Sequence, residues 1–375
     1  MVPPGRQRPF PAWIIVLLAA VVASSLAGCG GGRGDNGPGP AVQRSEPAGE
    51  PRAVRLGFGV LPAELTTEAY RQAFATAAQY ADVVRIQRPP PWEDFLPGGH
   101  ISTQTEDTTR LETSLLAQYR DLKRFYAIDP TDAAVRRTRP ANLPASIDPN
   151  EGFNSPALRE AFLKYTAYIA KSYQPDYLAL GVEINMLADR RPDQFEAFVT
   201  LYHEAYRVAK DASPKTKVFP TFQLEDLEGR LDAVHPPHWD VLENFRGVID
   251  VLAVSTYPYL ADLGAAGGLP PDYYTQLKTR FTGEIMVAET AYPSAQVEGR
   301  GVIGSEEDQR GYLTSLLRDA EASGIGTVIW VAPLDPAFAT TGNATVFRDV
   351  GLRKSDGSNK LAWSVWEEWA RRPLK

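Results

Sequence analysis

Residues 177–185 read Tyr-Leu-Ala-Leu-Gly-Val-Glu-Ile-Asn, a short apolar run that ends in a carboxylate. Amphipathic stretches of helical character precede it at 155–173 and follow it at 192–212. A short apolar run between two such helices is typical of a strand in a parallel sheet, which is covered on both faces. We therefore interpret this part of the chain as one helix–strand–helix repeat.

The same alternation recurs along residues 53–375. Besides 177–184, strands are predicted at 54–60, 82–88, 123–129, 217–224, 249–257, 284–290 and 326–333. Helices are predicted at 66–80, 108–122, 155–173, 192–212, 271–281, 305–323 and 359–371, with a short one at 240–245. Ser305 can cap the helix at 305–323, and Gly324 stands where a C′ glycine belongs. Eight strands alternating with helices predict an α/β protein with a closed (β/α)8 TIM barrel.

The alternative to a barrel is an open, doubly wound sheet. Such a sheet normally carries a glycine-rich phosphate turn after its first strand. Here the first strand is followed by Leu61-Pro62-Ala63-Glu64. The barrel is therefore favoured.

The first 28 residues have the order of a secretory signal. Arg6 and Arg8 precede an apolar run at 13–26, which is shorter than the roughly 20 residues of a bilayer span. The segment ends Leu26-Ala27-Gly28-Cys29 and resembles the lipobox of bacterial lipoproteins, whose cysteine is lipidated and becomes residue one. We expect residues 1–28 to be a signal peptide and Cys29 to carry the lipid, palmitate among its acyl chains. An ordinary signal peptide is the alternative.

Residues 29–52 then predict a flexible tether between the lipidated cysteine and the folded body. They are mostly Gly, Pro, Ala and charged residues, which bury too little surface to offset the entropy of ordering. Gly30 follows the cysteine, and by the family rule an Asp there would indicate inner-membrane retention. The expected location is therefore extracytoplasmic, on the outer membrane or cell surface. Because Cys29 is the only cysteine, its lipidation leaves no thiol for catalysis or disulfides.

Composition excludes some partners and leaves others open. The formal net charge is −7, and no basic stripe of the nucleic-acid-binding kind occurs. The chain has 7 Trp, 16 Tyr and 15 Phe, which suits either a sugar-binding cleft or large aromatic cores. The sequence does not indicate an oligomeric state.

A second group of polar residues follows the fifth predicted strand. His235 and His238 have a metal-like spacing, but two prolines separate them, and we interpret them as part of a surface loop. Glu225, Asp226 and Glu228 could line a cleft, although a solvated acidic loop is favoured. The sequence therefore predicts neither a metal nor a cofactor.

Two glutamates end apolar strands at positions where a barrel places its chemistry. Glu183 ends the fourth predicted strand and Glu289 the seventh, so both lie at the C-terminal mouth, facing each other. Carboxylates about 5–5.5 Å apart support retaining glycoside hydrolysis, in which one is protonated and the other attacks. The alternative is that each glutamate faces solvent or bonds a loop amide.

The residues around both glutamates resemble clan A glycoside hydrolases, and most closely the family 53 endo-β-1,4-galactanases. The segments that carry this resemblance are Gly181-Val182-Glu183-Ile184-Asn185-Met186-Leu187, Asp250–Tyr259 and Glu289-Thr290-Ala291-Tyr292-Pro293. The resemblance implies that Glu183 is the acid/base and Glu289 the nucleophile. Clan A has Asn immediately before the acid/base, where it bonds the sugar 2-hydroxyl, whereas this chain has Val182.

The resemblance also assigns supporting residues. Tyr257 would hydrogen-bond the nucleophile, Trp330 would form the platform under the sugar, and Asn185 joins the substrate-binding set. Arg85 would lie near the nucleophile and favour its ionised form. Trp330 could instead be a barrel-core residue, and Arg85 an ion pair that closes the barrel floor.

Two functions follow from these observations. The first is a membrane-anchored retaining glycoside hydrolase that acts on a poly- or oligosaccharide. The second is a non-catalytic barrel that binds glycan or cell-wall material. Two carboxylates close to each other would favour hydrolysis, whereas a carboxylate held in a salt bridge would favour the second function.

Overall fold

The fold is that of a computed structural model, which describes residues 39–231, 235–261, 263, 268–297, 304–340 and 342–375. The predicted signal segment 1–28 and Cys29 lie outside the described residues. Within the described ranges, no helix has both the length and the apolar character needed to cross a bilayer.

The described strands form one parallel sheet, which confirms the predicted barrel. Its strand order is β5-β4-β3-β2-β1-β9-β8-β7-β6. The strands are β1 Arg55–Gly59, β2 Val83–Arg88, β3 Lys123–Ile128, β4 Tyr177–Ala179, β5 Lys217–Phe219, β6 Thr221–Gln223, β7 Val251–Thr256, β8 Glu284–Thr290 and β9 Thr327–Trp330. The seventh predicted strand is therefore β8, and the eighth is β9.

The barrel closes at Pro220, which divides the predicted strand 217–224 into β5 and β6. Proline has no N–H to donate to a ladder, so the strand is interrupted there. β5 pairs with β4, and β6 pairs with β7. Two backbone bonds complete the closure: Thr221 N–H donates to Gly181 O at 2.9 Å, and Asp250 N–H donates to Val218 O at 3.0 Å.

The helices pack around the sheet, mostly where they are predicted. They are Thr67–Tyr80, Trp92–Phe95, Thr103–Gln118, Pro156–Tyr173, Asn185–Arg190, Pro192–Ala212, Leu224–Leu227, Leu277–Arg280, Glu306–Ser323 and Leu361–Arg371, with a 3₁₀ helix at Trp239–Phe245. The Ser305 hydroxyl accepts from Asp308 N–H at 3.1 Å, and Gly324 has φ 64°, so both caps are confirmed.

Two helix predictions are wrong in extent. The helix predicted from 108 begins at Thr103, because the Ser102 hydroxyl accepts from Thr105 N–H and caps it there. The helix predicted at 271–281 is reduced to Leu277–Arg280. Turns precede that helix, beginning with the bond from Tyr273 N–H to Pro270 O at 3.0 Å.

Apolar side chains form two layers. One cluster fills the barrel, and the other lies between the strands and the helices. The members of the inner cluster are Val83, Phe125, Ala127, Tyr177, Ala179, Val182, Phe219, Val251, Ala253, Met286, Ala288 and Ile329. Val182, which replaces the expected Asn, is therefore an apolar residue of the barrel interior.

The packed body extends further toward the N-terminus than the predicted boundary at residue 53. Arg52 is 2% exposed and forms a bidentate ion pair with Asp82 at 2.7 and 3.1 Å. Arg44 donates to Ala78 O at 3.0 Å, and Tyr119 donates to Pro40 O at 2.6 Å. Residues 39–52, which the sequence assigns to the tether, therefore contact the barrel.

Candidate active site

A local irregularity in β8 places Glu289 inside the barrel. Met286 and Ala288 belong to the inner cluster and Val287 to the outer one, so strict alternation would turn Glu289 outward. The pairing register with β9 shifts between Val287 and Thr290. Such bulges redirect side chains. Glu289 consequently faces Arg85, which projects from β2 into the barrel.

Glu289 is held by two donors of different kinds. One carboxylate oxygen forms an ion pair with the Arg85 guanidinium, and the other accepts from the Tyr257 hydroxyl. Burial, and then the charge of Glu289, raises the pKa of Tyr257 well above its usual value, so this hydroxyl stays protonated and donates. Both contacts expected from the sequence are present.

Glu183 has a strained backbone at the end of β4. Its φ is 52°, a conformation that costs a non-glycine residue free energy and is concentrated at functional sites. Gly181 precedes it where a Cβ would lie 2.8 Å from the Phe198 ring. The chain therefore leaves the regular strand after Ala179 and turns the Glu183 side chain into the barrel mouth.

The Glu183 carboxyl is 1% exposed and unevenly bonded. Its Oε2 accepts from Arg137 Nε at 2.8 Å, while its Oε1 has no hydrogen-bond partner. Burial raises the pKa of Glu183, the positive charge of Arg137 opposes that rise, and the charge of Glu289 adds to it. The net direction is upward, so Glu183 holds a proton more readily than an ordinary glutamate.

A polar network connects the two glutamates. Arg85 donates to Gln87, and Gln87 Nε2 donates to Asp129 Oδ2 at 2.9 Å. Arg137 then joins Asp129 to Glu183, with Nη1 2.6 Å from Asp129 Oδ1. The two glutamates thus share one buried system.

The charge of that network favours one bound proton. Three carboxylates, of Asp129, Glu183 and Glu289, face the two guanidinium groups of Arg85 and Arg137, which leaves one excess negative charge if all are ionised. An uncompensated buried charge is unfavourable, so the network lowers its free energy by taking up a proton. Burial raises the pKa of Asp129 as well, against the opposing charge of Arg137. Glu183 and Asp129, whose pKa values burial raises, are therefore the carboxyls of this network that hold a proton more readily than usual.

The other predicted binding residues lie in the core. Trp330 is fully buried, its indole N–H donates to Val350 O at 2.8 Å, and its ring packs on Tyr312. This placement favours the barrel-core alternative. Asn185 is also fully buried, and its Nδ2 donates to Asp226 Oδ2 at 2.8 Å and to Gln223 O at 3.1 Å. In this arrangement Asn185 joins two loops.

Sequence reasoning missed Arg137 and Gln87. Arg137 lies in the loop after β3 with φ 60°, where no strand or motif marks it. Gln87 lies in β2, two residues after Arg85, so its position in the strand could have indicated that it shares the inner face.

Comparisons place this fold among glycoside hydrolases. A GH5_18 protein from Bifidobacterium longum subsp. longum, in complex with Manβ1-4GlcNAc, is 13% identical with a TM-score of 0.62, covering 86% of this chain and 80% of its own. An exo-β-1,4-mannosidase from Opitutaceae bacterium strain TAV5 is 14% identical with a TM-score of 0.59, covering 88% of this chain and 62% of its own. A GH53 catalytic domain from Ignisphaera aggregans is 17% identical with a TM-score of 0.54, covering 88% and 99%.

Neither a protein-family model nor a curated protein matches the sequence. The structural neighbours are clan A glycoside hydrolases, and they include a family 53 domain, as the sequence resemblance leads one to expect. At these identities the likeness establishes the (β/α)8 barrel fold. Activity must be argued from the residues of this chain.

Proposed function

We propose that the protein is a retaining glycoside hydrolase, in which Glu289 attacks the anomeric carbon and Glu183 donates the proton to the leaving oxygen. The observation that carries the proposal is the asymmetry between the two carboxyls. Glu289 is paired with Arg85 and Tyr257, whereas the pKa of Glu183 is raised. Two carboxyls in such different surroundings suit an acid and a nucleophile.

The substrate in this proposal is a β-linked poly- or oligosaccharide, and its finer form is β-1,4-galactan cleaved internally, as by an endo-β-1,4-galactanase. Two of the fold neighbours named above, the GH5_18 protein and the exo-β-1,4-mannosidase, are complexed with or act on β-1,4-linked sugars by their descriptions. Val182 offers no hydrogen bond to a sugar 2-hydroxyl, so we expect a lower kcat on ordinary substrates than a polar residue there would give.

The first prediction tests the nucleophile. Glu289→Gln should abolish hydrolysis of every active member of an aryl β-glycoside panel, because the amide cannot form the covalent intermediate. Glu284→Gln is the matched control, since Glu284 begins the same strand and pairs with Lys217 at the opposite end of the barrel. It should leave kcat/KM unchanged. Steady-state hydrolysis rates measure both variants, and residual activity of Glu289→Gln would exclude this assignment.

The acid/base assignment has a separate signature in the same assay. Dinitrophenolate leaves without taking up a proton. Glu183→Gln should therefore slow formation of the covalent intermediate far less with dinitrophenyl glycosides than with glycosides of poor phenol leaving groups. Equal losses for both kinds of substrate would contradict the role of Glu183.

A second function, glycan binding without hydrolysis, is favoured by a different observation. Arg137 is ion-paired with Glu183, and the two glutamates are only 1% and 8% exposed. Wild-type inactivity across the panel, together with glycan binding that Glu289→Gln retains, would establish this function instead.

A further inference from the structure

Two histidines and two aspartates from separate loops meet beside the candidate active site. Asp189 lies in the helix Asn185–Arg190, Asp226 in the helix Leu224–Leu227, and His235 and His238 in the loop that follows. One ligand atom from each residue lies within 4.8 Å of all the others. The prolines between the histidines do not hold them apart, because the loop folds back and stacks the imidazoles with centroids 4.1 Å apart.

The hydrogen bonds of the histidines determine which nitrogens are free. His235 Nδ1 lies 2.8 Å from Pro236 O, and a carbonyl only accepts, so Nδ1 carries the hydrogen. His238 Nδ1 lies 2.8 Å from Asp189 Oδ2, where the carboxylate again accepts. In the neutral rings the lone pairs are therefore both on Nε2. A carbonyl or carboxylate behind the second ring nitrogen is the usual arrangement of a metal-bound histidine.

Both Nε2 atoms face carboxylate oxygens. His235 Nε2 lies 3.2 Å from Asp189 Oδ2 and 3.5 Å from Asp226 Oδ1. His238 Nε2 lies 3.3 Å from Asp226 Oδ2 and has no hydrogen-bond partner, although it is buried. Lone pairs that face carboxylates repel them, and a cation bound between these atoms relieves the repulsion. Protonating both rings would relieve it only by stacking two positive imidazoles.

Distances and donor types fit one class of ion. Zinc bonds of about 2.0–2.2 Å place tetrahedral ligand atoms about 3.3–3.6 Å apart, close to the separations above. Two imidazoles with two carboxylates suit Zn²⁺ and other transition metals, whereas Ca²⁺ and Mg²⁺ prefer oxygen ligands. Asn185 and Arg190 also donate to Asp226, at 2.8 and 3.1 Å, but its two oxygens have about four acceptor positions in all.

We propose that Asp189, Asp226, His235 and His238 form a binding site for a divalent transition metal ion of the Zn²⁺ type. The ion joins the loop after β4 to the loop after β6. Through Asn185, which bonds Asp226 and lies two residues after Glu183, it also steadies the end of β4. This site goes beyond the proposed hydrolase activity and does not depend on it.

Calorimetry with zinc alone tests the site on the chelator-treated, full-length protein. One ion per chain should bind, and at about 100 times Kd it should raise the melting temperature by about 5 °C. Co²⁺ in place of zinc should give the intense visible bands of a tetrahedral site. Glu289→Gln should bind zinc as the wild type does, which separates this result from the activity assay.

His235→Asn and His238→Asn should each weaken zinc binding by more than about 100-fold, beyond the range for outer residues. His203→Asn is the matched control, because the hydrogen bond described for His203 goes to the Asn244 carbonyl and not to the four proposed ligands. Circular dichroism checks that each variant is folded. Failure of the wild type to bind zinc, or unchanged binding in the double variant, would overturn the proposal. The proposal would also be overturned if lowering the pH, without any metal, stabilised the protein in a way that requires both histidines.

Discussion

The charge of Arg137 opposes the effect of burial on the pKa of Glu183. Its guanidinium lies between the carboxyls of Glu183 and Asp129, and all three side chains are 4% exposed or less. A nearby opposite charge favours the ionised form of a carboxyl, whereas burial disfavours it. In Glu183 burial is the larger effect, so the ion pair moderates the rise in pKa without reversing it.

Arg137→Met should therefore raise the pKa of Glu183 further. We expect the basic limb of the kcat/KM profile, where the acid deprotonates, to move to higher pH. The free energy of unfolding should fall by about 3–5 kcal/mol near pH 8, because two buried carboxylates lose their cation. The loss should be smaller near pH 5, where a proton replaces the cation.

The control for Arg137 is Arg139→Met, since Arg139 forms an exposed pair with Asp132. Urea unfolding should show a change of at most about 1 kcal/mol for it. A basic limb that moves downward in Arg137→Met would contradict the sign of this effect.

Glu225 makes stability depend on pH. Its side chain is fully buried. The carboxylate accepts hydrogen bonds from the Tyr257 backbone N–H at 2.9 Å and from Thr256 Oγ1 at 2.7 Å. Burial raises its pKa from 4.5 to about 7, against the hydrogen bonds that lower it. The folded state thus binds this proton more tightly than the unfolded state, so its contribution is complete below pH 4.5 and is lost as pH rises through 7.

Wild-type stability should accordingly fall between pH 5 and 8 more steeply than that of Glu225→Gln. The difference should reach at most about 3 kcal/mol, at about 1.4 kcal/mol per pH unit. Urea unfolding at several pH values measures it, with Glu204→Gln, which alters a partly exposed carboxylate, as the control. Parallel curves of unfolding free energy against pH for the wild type and Glu225→Gln would disprove this role of Glu225.

Among the elements, the strands at the mouth approach each other too closely for larger side chains. A Cβ on Gly59, at the end of β1, would lie 2.4 Å from Val331 O after β9. Backbone cannot move aside as a flexible side chain can. The same two strands lie between β2, which carries Arg85, and β8, which carries Glu289, so their spacing also affects the candidate site.

Gly59→Ala should therefore destabilise the fold by about 2 kcal/mol through overpacking. Gly311→Ala is the contrasting substitution, because Gly311 is inside the helix Glu306–Ser323, where an added Cβ would meet no neighbouring atom within 4 Å. It should stabilise the protein by about 1 kcal/mol, since alanine is the better helix former. Thermal unfolding should show a lower melting temperature for Gly59→Ala and a higher one for Gly311→Ala. Changes of the same sign in both variants would count against the steric argument.

At the scale of the whole molecule, the lipid anchor predicted at Cys29 would hold the barrel at a membrane surface. Arg52 fixes the N-terminal segment to the body through Asp82 and through Trp369 O at 2.9 Å.

Cys29→Ala should release the protein from the membrane fraction and abolish labelling by radioactive palmitate, because no other cysteine can carry the lipid. Fractionation followed by immunoblotting measures the change. The barrel should keep its unfolding free energy, since residues 39–375 contain its described contacts. Retention of Cys29→Ala in the membrane fraction would exclude the lipid anchor.

Local sequence was sufficient for the repeat and for the strand-end glutamates, because both depend on patterns within about 20 residues. The barrel, the caps at Ser305 and Gly324, and the positions of Glu183 and Glu289 could all be predicted in this way. Arg85 and Tyr257 were predicted as partners of Glu289 only through the family resemblance.

The bonding of those glutamates depended on contacts between distant parts of the chain. Arg85 and Glu289 are 204 residues apart, and Arg137 and Glu183 are 46 apart. Three features could not be recognised from the neighbouring sequence. They are the bulge that turns Glu289 inward, the left-handed backbone conformation of Glu183, and the loop that brings His235 and His238 to Asp189. Side-chain direction at such irregular positions is set by packing against neighbouring strands and loops, which exists only once the barrel has closed.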